Sequence, residues 1–140
     1  MSTPTDDVVA IKTLFLRYQQ TLNNSSLFLL TPLYTTDPNI PPVAMFPHSP
    51  PHMGTKAIMA AYTKLFDEVD HMVTISVEEV NVVGEGLGGE KWAFARTTCT
   101  GICRSRETGE ALRDSVMQLW VLKRGEGEWR IAKYMFAQMD

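Results

Sequence analysis

The stretch "LRDSVMQLWVLKR" (Leu112–Arg124) decides the fold, because it has the alternation of a β-strand. One set of its alternate residues includes Val116 and Trp120, which is typical of a strand face turned towards a core. The same face also carries Asp114 and Gln118. Polar side chains among apolar ones indicate either a solvated face or the wall of a pocket that needs polar groups.

The other segments of the second half alternate in the same way. They are "HMVTISVEEVNVVG" (71–84), "KWAFARTTCTGICRSR" (91–106) and "WRIAKYMFAQMD" (129–140). Glycine-containing stretches separate them and are expected to form turns. These stretches are "EGLGGE" (85–90), "ETGE" (107–110) and "GEGE" (125–128). Four alternating segments joined by short turns predict an antiparallel meander.

The first half has helical periodicity instead. Thr5 predicts the cap of a first helix. The apolar stripe of this helix repeats every three or four positions and consists of Val8, Ile11, Phe15, Tyr18 and Leu22. Ser25 or Ser26 predicts the cap of a short second helix through "LFLLTPLY" (27–34). Pro32 limits the length or the regularity of that helix.

A third helix and two short connecting segments complete the first half. Thr55 predicts the cap of the third helix, through "KAIMAAYTKLFDEV" (56–69). Before it, "VAMFP" (43–47) is a candidate short strand, and "HSPPHMG" (48–54) is expected to be a loop with too few N–H groups to join a sheet. Three helices followed by a meander predict an α+β fold. A curled sheet covered by helices leaves a hollow, and such hollows are common ligand sites.

Length and composition exclude several classes of protein. The 140 residues predict a single domain over residues 1–140, and a net charge of −3 without a dense basic cluster gives no argument for nucleic-acid binding. No apolar run approaches the roughly 20 residues that span a membrane, so we expect a cytoplasmic protein. Cys99 and Cys103 lie about 13 Å apart along a strand, beyond disulfide reach. The sequence predicts no metal site and no cofactor.

The order of the segments and several motifs resemble one protein family. The motifs are "LFLRYQQTLNNSS", "GTKAIMAAYTKLF", "WAFARTTCTG", "LRDSVMQLWVLKR" and "WRIAKYMF". They resemble the SnoaL-like branch of the nuclear transport factor 2 (NTF2) superfamily over about residues 6–138. The resemblance implies a cone-shaped α+β barrel with an internal pocket for a hydrophobic small molecule, and a homodimer formed through the outer sheet face. Members include ketosteroid isomerases, polyketide and meroterpenoid cyclases, dehydratases, epoxide hydrolases and non-catalytic binders.

An overlay on the ketosteroid isomerase pattern implies roles for individual residues. Tyr18 on the first helix and Tyr62 on the third fall where those enzymes carry pocket tyrosines. Gln118 falls where they keep a protonated aspartic acid that donates a hydrogen bond to an oxyanion; a glutamine can orient a carbonyl or hydroxyl group but cannot carry the proton. Phe46 falls at or beside the position of the catalytic base, so the overlay implies that this base is missing.

The same overlay implies which side chains point inward. The inward set consists of Trp92, Phe94, Arg96, Thr98, Thr100, Asp114, Val116, Gln118, Trp120, Tyr134, Phe136 and Gln138. Asp114 and Gln118 would then share an apolar face because that face is the pocket wall. Convergence of the four tyrosines on one hollow would favour an aromatic or polycyclic ligand. The four are Tyr18, Tyr34, Tyr62 and Tyr134.

Charged and histidine side chains are the candidates for proton transfer. If Arg96 and Asp114 both point inward, we expect them to pair across adjacent strands, because isolated buried charges are very unfavourable. The pair is either a structural brace or a site in which Asp114 is the acid or base and Arg96 holds it ionised or binds an enolate oxygen. His48 is either a proton shuttle at the pocket mouth or a solvated loop residue. His71 is expected at the surface.

One functional hypothesis and one alternative follow. The hypothesis is a cofactor-independent isomerase, cyclase or dehydratase that acts on a polyketide- or terpenoid-like molecule inside the pocket. The alternative is a non-catalytic small-molecule-binding or dimerisation module. The catalytic candidates are Asp114, His48, Arg96, Tyr18, Tyr62 and Gln118. The expected substrate-binding residues are Tyr34, Phe46, Phe66, Phe94, Thr98, Val116, Trp120, Tyr134 and Phe136.

Overall fold

The helices lie where the periodicity predicts them. A computed structural model of the protein describes residues 4–84, 90–125 and 127–139. The helices are α1 (Pro4–Asn24), α2 (Leu27–Leu30), which a 3-10 turn (Thr31–Leu33) continues, and α3 (Thr55–Glu68). Within these described ranges, no helix is long and apolar enough to cross a lipid bilayer.

The structure confirms one of the three helix N-caps that the sequence predicts. Ser26 caps α2, because its side chain accepts a hydrogen bond from the N–H of Leu29. Thr5 lies inside α1, which already includes Pro4. Gly54 is the N-cap of α3, with φ of 88°, and Thr55 is the first helical residue. A glycine suits this position because other residues rarely adopt a positive φ.

The strands of the second half also lie where the alternation predicts them. The sheet consists of β1 (Val43–Met45), β2 (His52–Met53), β3 (Val69–Val83), β4 (Lys91–Ser105), β5 (Ala111–Gly125) and β6 (Glu128–Gln138). The four long strands form the predicted antiparallel meander within a sheet of order β2-β1-β6-β5-β4-β3. The fold is therefore α+β, with the helices on a curved sheet that stays open. Two of the predicted turns include residues 85–89 and 126, which lie outside the described residues.

The segment before α3 takes part in the sheet. β1 pairs with β6 in parallel, with Ala44 opposite Tyr134. β2 pairs with β1 in antiparallel fashion, with His52 opposite Ala44. The expectation that 48–54 is a loop outside the sheet is therefore wrong at its end, because the residues after Pro51 keep their N–H groups.

Side chains of α1 cover the exposed edge of β3. The Asn23 side chain donates to the backbone oxygen of Val73 at 2.9 Å and accepts from the Val73 N–H at 2.8 Å. The Gln19 side chain accepts from the N–H of Ile75 at 2.8 Å. These contacts satisfy backbone groups that an edge strand would leave unpaired. They also fix α1 against the sheet, so that Tyr18 is held over the sheet interior.

The register between β4 and β5 overturns part of the predicted inward face. Thr97 lies opposite Gln118, and Ala95 lies opposite Trp120, so odd residues of β4 share a face with even residues of β5. The buried side chains of β4 are Lys91, Ala93, Ala95, Thr97 and Cys99. The prediction for β4 was therefore wrong: its even residues, Trp92, Phe94, Arg96, Thr98 and Thr100, lie on the outer face. A shift of one residue moves every side chain to the opposite face. For β5, the even residues from Val116 to Leu122 are buried, as predicted.

Gly101 lets β4 approach β3 closely. A Cβ atom at this position would lie 2.1 Å from the backbone oxygen of Met72. Gly101 pairs with Val73 on one side and with Asp114 on the other. The missing side chain therefore allows the close contact at the end of the sheet where Asp114 lies.

Candidate functional site

A small cavity lies between the helices and the sheet. Its volume is about 50 Å³. The lining residues are Tyr18, Leu22, Phe46, Tyr62, Leu65, His71, Cys99, Asp114, Val116, Gln118, Tyr134 and Phe136. Four of them also line a wider and more open vestibule of about 870 Å³; the four are Leu65, His71, Asp114 and Phe136. The two spaces therefore adjoin along these four residues.

The size of the inner cavity limits what can enter it. A volume of about 50 Å³ holds a few water molecules or one small group. Pockets that enclose a drug-sized ligand have about 300–1,000 Å³. The space is narrow because aromatic rings fill the hollow; Tyr18, for example, packs against Trp120 at 5.0 Å and against Tyr134 at 5.6 Å between ring centroids. A larger ligand would place one end in the inner cavity and its body in the vestibule.

Three tyrosine hydroxyl groups form a hydrogen-bonded chain at the inner end. The hydroxyl oxygens of Tyr18 and Tyr62 are 2.6 Å apart, and those of Tyr62 and Tyr34 are 3.1 Å apart. Burial raises the pKa of all three, so they remain protonated at neutral pH. Three hydroxyl protons serve the two hydrogen bonds within the chain, and Tyr18 has a further hydrogen-bond interaction with Tyr134.

A second polar chain holds Gln118 and Tyr134. The Trp120 indole N–H donates to the Thr97 hydroxyl at 2.9 Å, and that hydroxyl donates to Gln118 Oε1 at 2.7 Å. Gln118 Nε2 then donates to the Tyr134 hydroxyl at 2.8 Å. The Tyr134 hydroxyl also has a hydrogen-bond interaction with Tyr18, which joins this chain to the tyrosine chain. Burial raises the pKa of Tyr134, which keeps its hydroxyl proton in place at neutral pH.

Asp114 lies where the cavity and the vestibule adjoin, and it is not paired with Arg96 as predicted. Its carboxylate accepts a hydrogen bond from the Cys103 thiol at 3.5 Å. Arg96 instead lies on the outer face, with its Nε 3.1 Å from Glu79 Oε1. The predicted Arg96–Asp114 pair was wrong, because the register places the two side chains on opposite faces of the sheet. Burial raises the pKa of Cys103 and of Cys99 to about 12, so neither thiol is a ready nucleophile.

His71 is a buried member of the site that the sequence analysis placed at the surface. Its side chain is 9% exposed and lines both the cavity and the vestibule. Its Nδ1 atom is buried and has no hydrogen-bond partner among the residues described. Burial lowers the pKa of His71 against the opposing effect of Asp114, so the ring is neutral at pH 7. The odd residues His71 and Val73 of β3 are both buried, and this alternation was the signal that could have placed the histidine inside.

Comparison with known proteins rests on structure. No known family profile and no curated protein matches the sequence. A ketosteroid isomerase-like protein from Erwinia carotovora atroseptica superposes with a TM-score of 0.81 at 21% identity, over 96% of this chain and 98% of that one. A proposed dehydratase of the NTF2-like family from Streptomyces avermitilis superposes with a TM-score of 0.73 at 17% identity, over 98% and 99% of the two chains. The chain has the NTF2-like fold. At these identities the likeness shows the fold and not an activity.

The NTF2-like fold brings most of the predicted pocket residues together. Tyr18, Tyr62, Gln118, Val116, Tyr134, Phe136 and Phe46 all line the inner cavity. Tyr34, Phe66 and Trp120 lie immediately behind it: Tyr34 bonds to Tyr62, Phe66 packs on Tyr62 at 5.8 Å, and Trp120 packs on Tyr134 at 4.3 Å.

Four predicted site residues of the NTF2-like fold lie elsewhere. Phe94, Arg96 and Thr98 are on the outer face, where Thr98 donates to Glu78 at 2.9 Å. His48 is exposed, with φ of 59°, and lines neither the cavity nor the vestibule. Of the two alternatives for His48, the exposed side chain agrees with the solvated loop residue, and the place at the pocket mouth was wrong.

Proposed function

We propose that the protein is a cofactor-independent enzyme that catalyses acid–base isomerisation, cyclisation or dehydration of an apolar polyketide- or terpenoid-like molecule. The observation that carries the proposal is the arrangement at the inner cavity. Protonated tyrosines line the same small space as the Asp114 carboxylate and the neutral His71 ring. Acid–base catalysis needs both kinds of group around one reacting molecule.

The tyrosine hydroxyl groups would bind an oxygen of the substrate. Tyr18 and Tyr134 both line the inner cavity, and their hydroxyl groups belong to the two polar chains. A carbonyl oxygen that enters the cavity would accept hydrogen bonds there. These bonds would strengthen as the oxygen gains negative charge in an enolate. The apolar side chains of Leu65 and Phe136 would contact the body of the substrate in the vestibule.

Asp114 or His71 would move the proton. In one route, the Asp114 carboxylate takes a proton from the carbon next to the carbonyl, and the electron pair moves to the oxygen held by the tyrosines. Return of the proton to another carbon gives isomerisation, and attack of the enolate carbon on a second carbonyl gives cyclisation. Loss of a β-hydroxyl group as water, with a proton from the acid, gives dehydration. Phe46 directly follows β1, so no carboxylate is available at that position.

Exchange of carbon-bound hydrogen tests this proposal without knowledge of the substrate. Bicyclic ketones such as 2-tetralone are incubated with the protein in deuterated water, and loss of the α-proton signal is followed by NMR. We expect catalysed exchange, and Asp114→Asn or His71→Gln to slow it at least about 100-fold. Glu79→Gln, which removes a carboxylate from the outer face, is the matched control and should not change the rate. No exchange above the buffer rate, or full exchange in both site variants, would overturn the proposal in favour of a binding module.

We also propose that the protein forms a homodimer through the outer sheet face. An apolar groove of about 370 Å³ lies on this face, and its exposed side chains include Phe94, Leu119, Met135 and Met45. Contiguous exposed apolar surface of this kind is typical of protein contacts. A second copy is the occupant that the groove fits, because the same face also carries Glu79, Arg96 and Lys133. A two-fold axis would bring these acidic and basic groups of one copy near their opposites on the other.

A further inference from the structure

The vestibule has a marked excess of acidic side chains. Its carboxylates are Asp67, Glu68, Glu107, Glu110 and Asp114. Arg113 is the one lysine or arginine among its lining residues. Among the described residues, none of these five carboxylates takes part in an ion pair. The vestibule therefore has a negative electrostatic potential that a ligand meets before it reaches the inner cavity.

The nearby arginines do not cancel this charge. Arg106 is bound to Asp70, with Nη2 2.6 Å from Oδ1, and also donates to Ser25. Arg104 donates to the backbone oxygen of Gly109 at 2.8 Å. Neither arginine is among the residues that line the vestibule. Arg106 is still near enough to lower the pKa of His71, so its charge reduces the negative potential of the vestibule only in part.

The inner wall of the vestibule adds a second, independent observation. His71 is nine-tenths buried and lines both spaces, and its Nδ1 atom has no hydrogen-bond partner among the residues described. A buried polar atom of this kind normally has a hydrogen-bond partner, so a bound molecule or a water molecule would supply the missing hydrogen bond. Phe136 also lines both spaces. An aromatic face attracts a cation and has nothing to offer an anion.

We propose that the ligand of this site is an apolar molecule with a positively charged amine on the part that lies in the vestibule. The inference rests on the proposed function, since it assumes that the same molecule places an oxygen at the tyrosines. The amine would lie among Asp114, Phe136 and the rim carboxylates Glu107 and Glu110. Molecules with a carboxylate or a phosphate at that end would meet five carboxylates and only one arginine, Arg113, and would be repelled. The charge of the vestibule thus selects the substrate class.

Three probes that differ only in charge test this inference. They are 2-naphthylmethylammonium, 2-naphthylmethanol and 2-naphthoate, titrated calorimetrically at low ionic strength and neutral pH. A surface potential of several kT corresponds to about tenfold in affinity per charge, so we expect the ammonium probe to bind at least about tenfold tighter than the alcohol and the carboxylate at least about tenfold weaker. At about 1 M salt the spread should shrink, because the Debye length falls to about 3 Å.

Charge-matched variants assign the selectivity to the vestibule. Glu107→Gln with Glu110→Gln should reduce the affinity ratio of ammonium to carboxylate at least about threefold and leave the alcohol unchanged. Glu90→Gln with Glu128→Gln makes the same change in net charge at the opposite end of the sheet, and the ratio should stay as in the wild type. If the two pairs of substitutions change the affinity ratio equally, the selectivity does not arise in the vestibule, and the inference is overturned.

The outcomes separate this inference from the proposed function. If all three probes bind equally, or if 2-naphthoate binds best, the charge selection is wrong while the acid–base proposal stands. If none of the probes binds, the cavity and the vestibule are not a ligand site, and both proposals fall together. An ammonium preference that the rim variants weaken supports the inference and leaves the exchange experiment to decide catalysis.

Discussion

The hydroxyl oxygens of Tyr18 and Tyr62 lie 2.6 Å apart, although the two residues come from different helices and are 44 positions apart in the chain. The contact joins α1 to α3 directly above the inner cavity. The two hydroxyl groups are held in place before a ligand binds. They can therefore stabilise a charge that develops on the ligand without first having to reorient.

Tyr62 is the central member of the tyrosine chain, so its hydroxyl should matter more than that of Tyr34. Tyr62→Phe leaves two buried hydroxyl groups without their partner, and we expect the free energy of unfolding to fall by about 1–3 kcal/mol. Tyr34→Phe removes only the terminal bond, and a loss of about 0.5–1.5 kcal/mol is expected. Urea unfolding of the two variants checks the order. Equal losses would show that the chain does not act as described.

His71 makes stability depend on pH. Burial lowers the pKa of His71 in the folded protein, so the unfolded chain binds a proton on this side chain at a higher pH than the folded chain does. The free energy of unfolding should therefore fall as the pH drops below about 6.5 and continue to fall until the folded pKa is reached. His71→Gln should remove this part of the pH dependence, whereas His48→Gln, at an exposed site, should retain it. Urea titrations on both sides of this pH range measure the difference.

The close approach at Gly101 predicts a severe substitution. Gly101→Ala places a methyl group against the backbone of Met72, where the neighbouring strand can only yield by moving. We expect a loss of about 2–4 kcal/mol in the free energy of unfolding. Gly84→Ala is the control, because a Cβ at Gly84 has no atom within 4 Å. Similar thermal midpoints for the two variants would contradict the close approach.

A buried ion pair fixes the start of α1 to the start of β4. Lys91 Nζ lies 2.9 Å from Asp7 Oδ2, and the Trp129 indole N–H donates to the other Asp7 oxygen at 3.2 Å. Lys91→Met leaves a buried carboxylate with fewer partners, and a loss of about 3–5 kcal/mol is expected. The double variant Asp7→Leu with Lys91→Met should recover much of that loss, since an apolar pair of similar volume replaces the ions. A double-mutant cycle by chemical denaturation tests the coupling.

The outer groove predicts how the dimer would be broken. Leu119 lines the groove and is exposed, so Leu119→Glu should produce a monomer in light scattering at micromolar concentration. Val9 is an exposed apolar residue on α1, away from the groove. Val9→Glu should therefore leave the molar mass of the assembly in solution unchanged. A wild-type protein that is monomeric under the same conditions would remove the basis of the dimer proposal.

Periodicity predicted the elements of the fold well, because segment type depends on local pattern. The long strands β3 to β6 and the stripe on α1 each combine the right period with clear turn residues. Short elements were harder. β2 has only two residues, and its pairing with β1 depends on tertiary contacts that no local pattern contains.

The face of β4 could not be read from its own sequence. Its even residues include Trp92 and Phe94, whereas its buried odd residues include Ala93 and Ala95, so both faces look apolar and the larger side chains lie outside. The register with β5, which pairs Thr97 with Gln118, decides the matter. The overlay on a related pattern placed Tyr18, Tyr62 and Gln118 in the pocket, and all three line the inner cavity.

The amide side chains of Gln19 and Asn23 have a consequence beyond holding α1. They occupy the hydrogen-bonding positions at Val73 and Ile75, where another polypeptide would otherwise add itself to the open margin of β3. Replacing both by leucine would leave a bare template there, and the protein would become prone to fibril growth while its interior stayed intact.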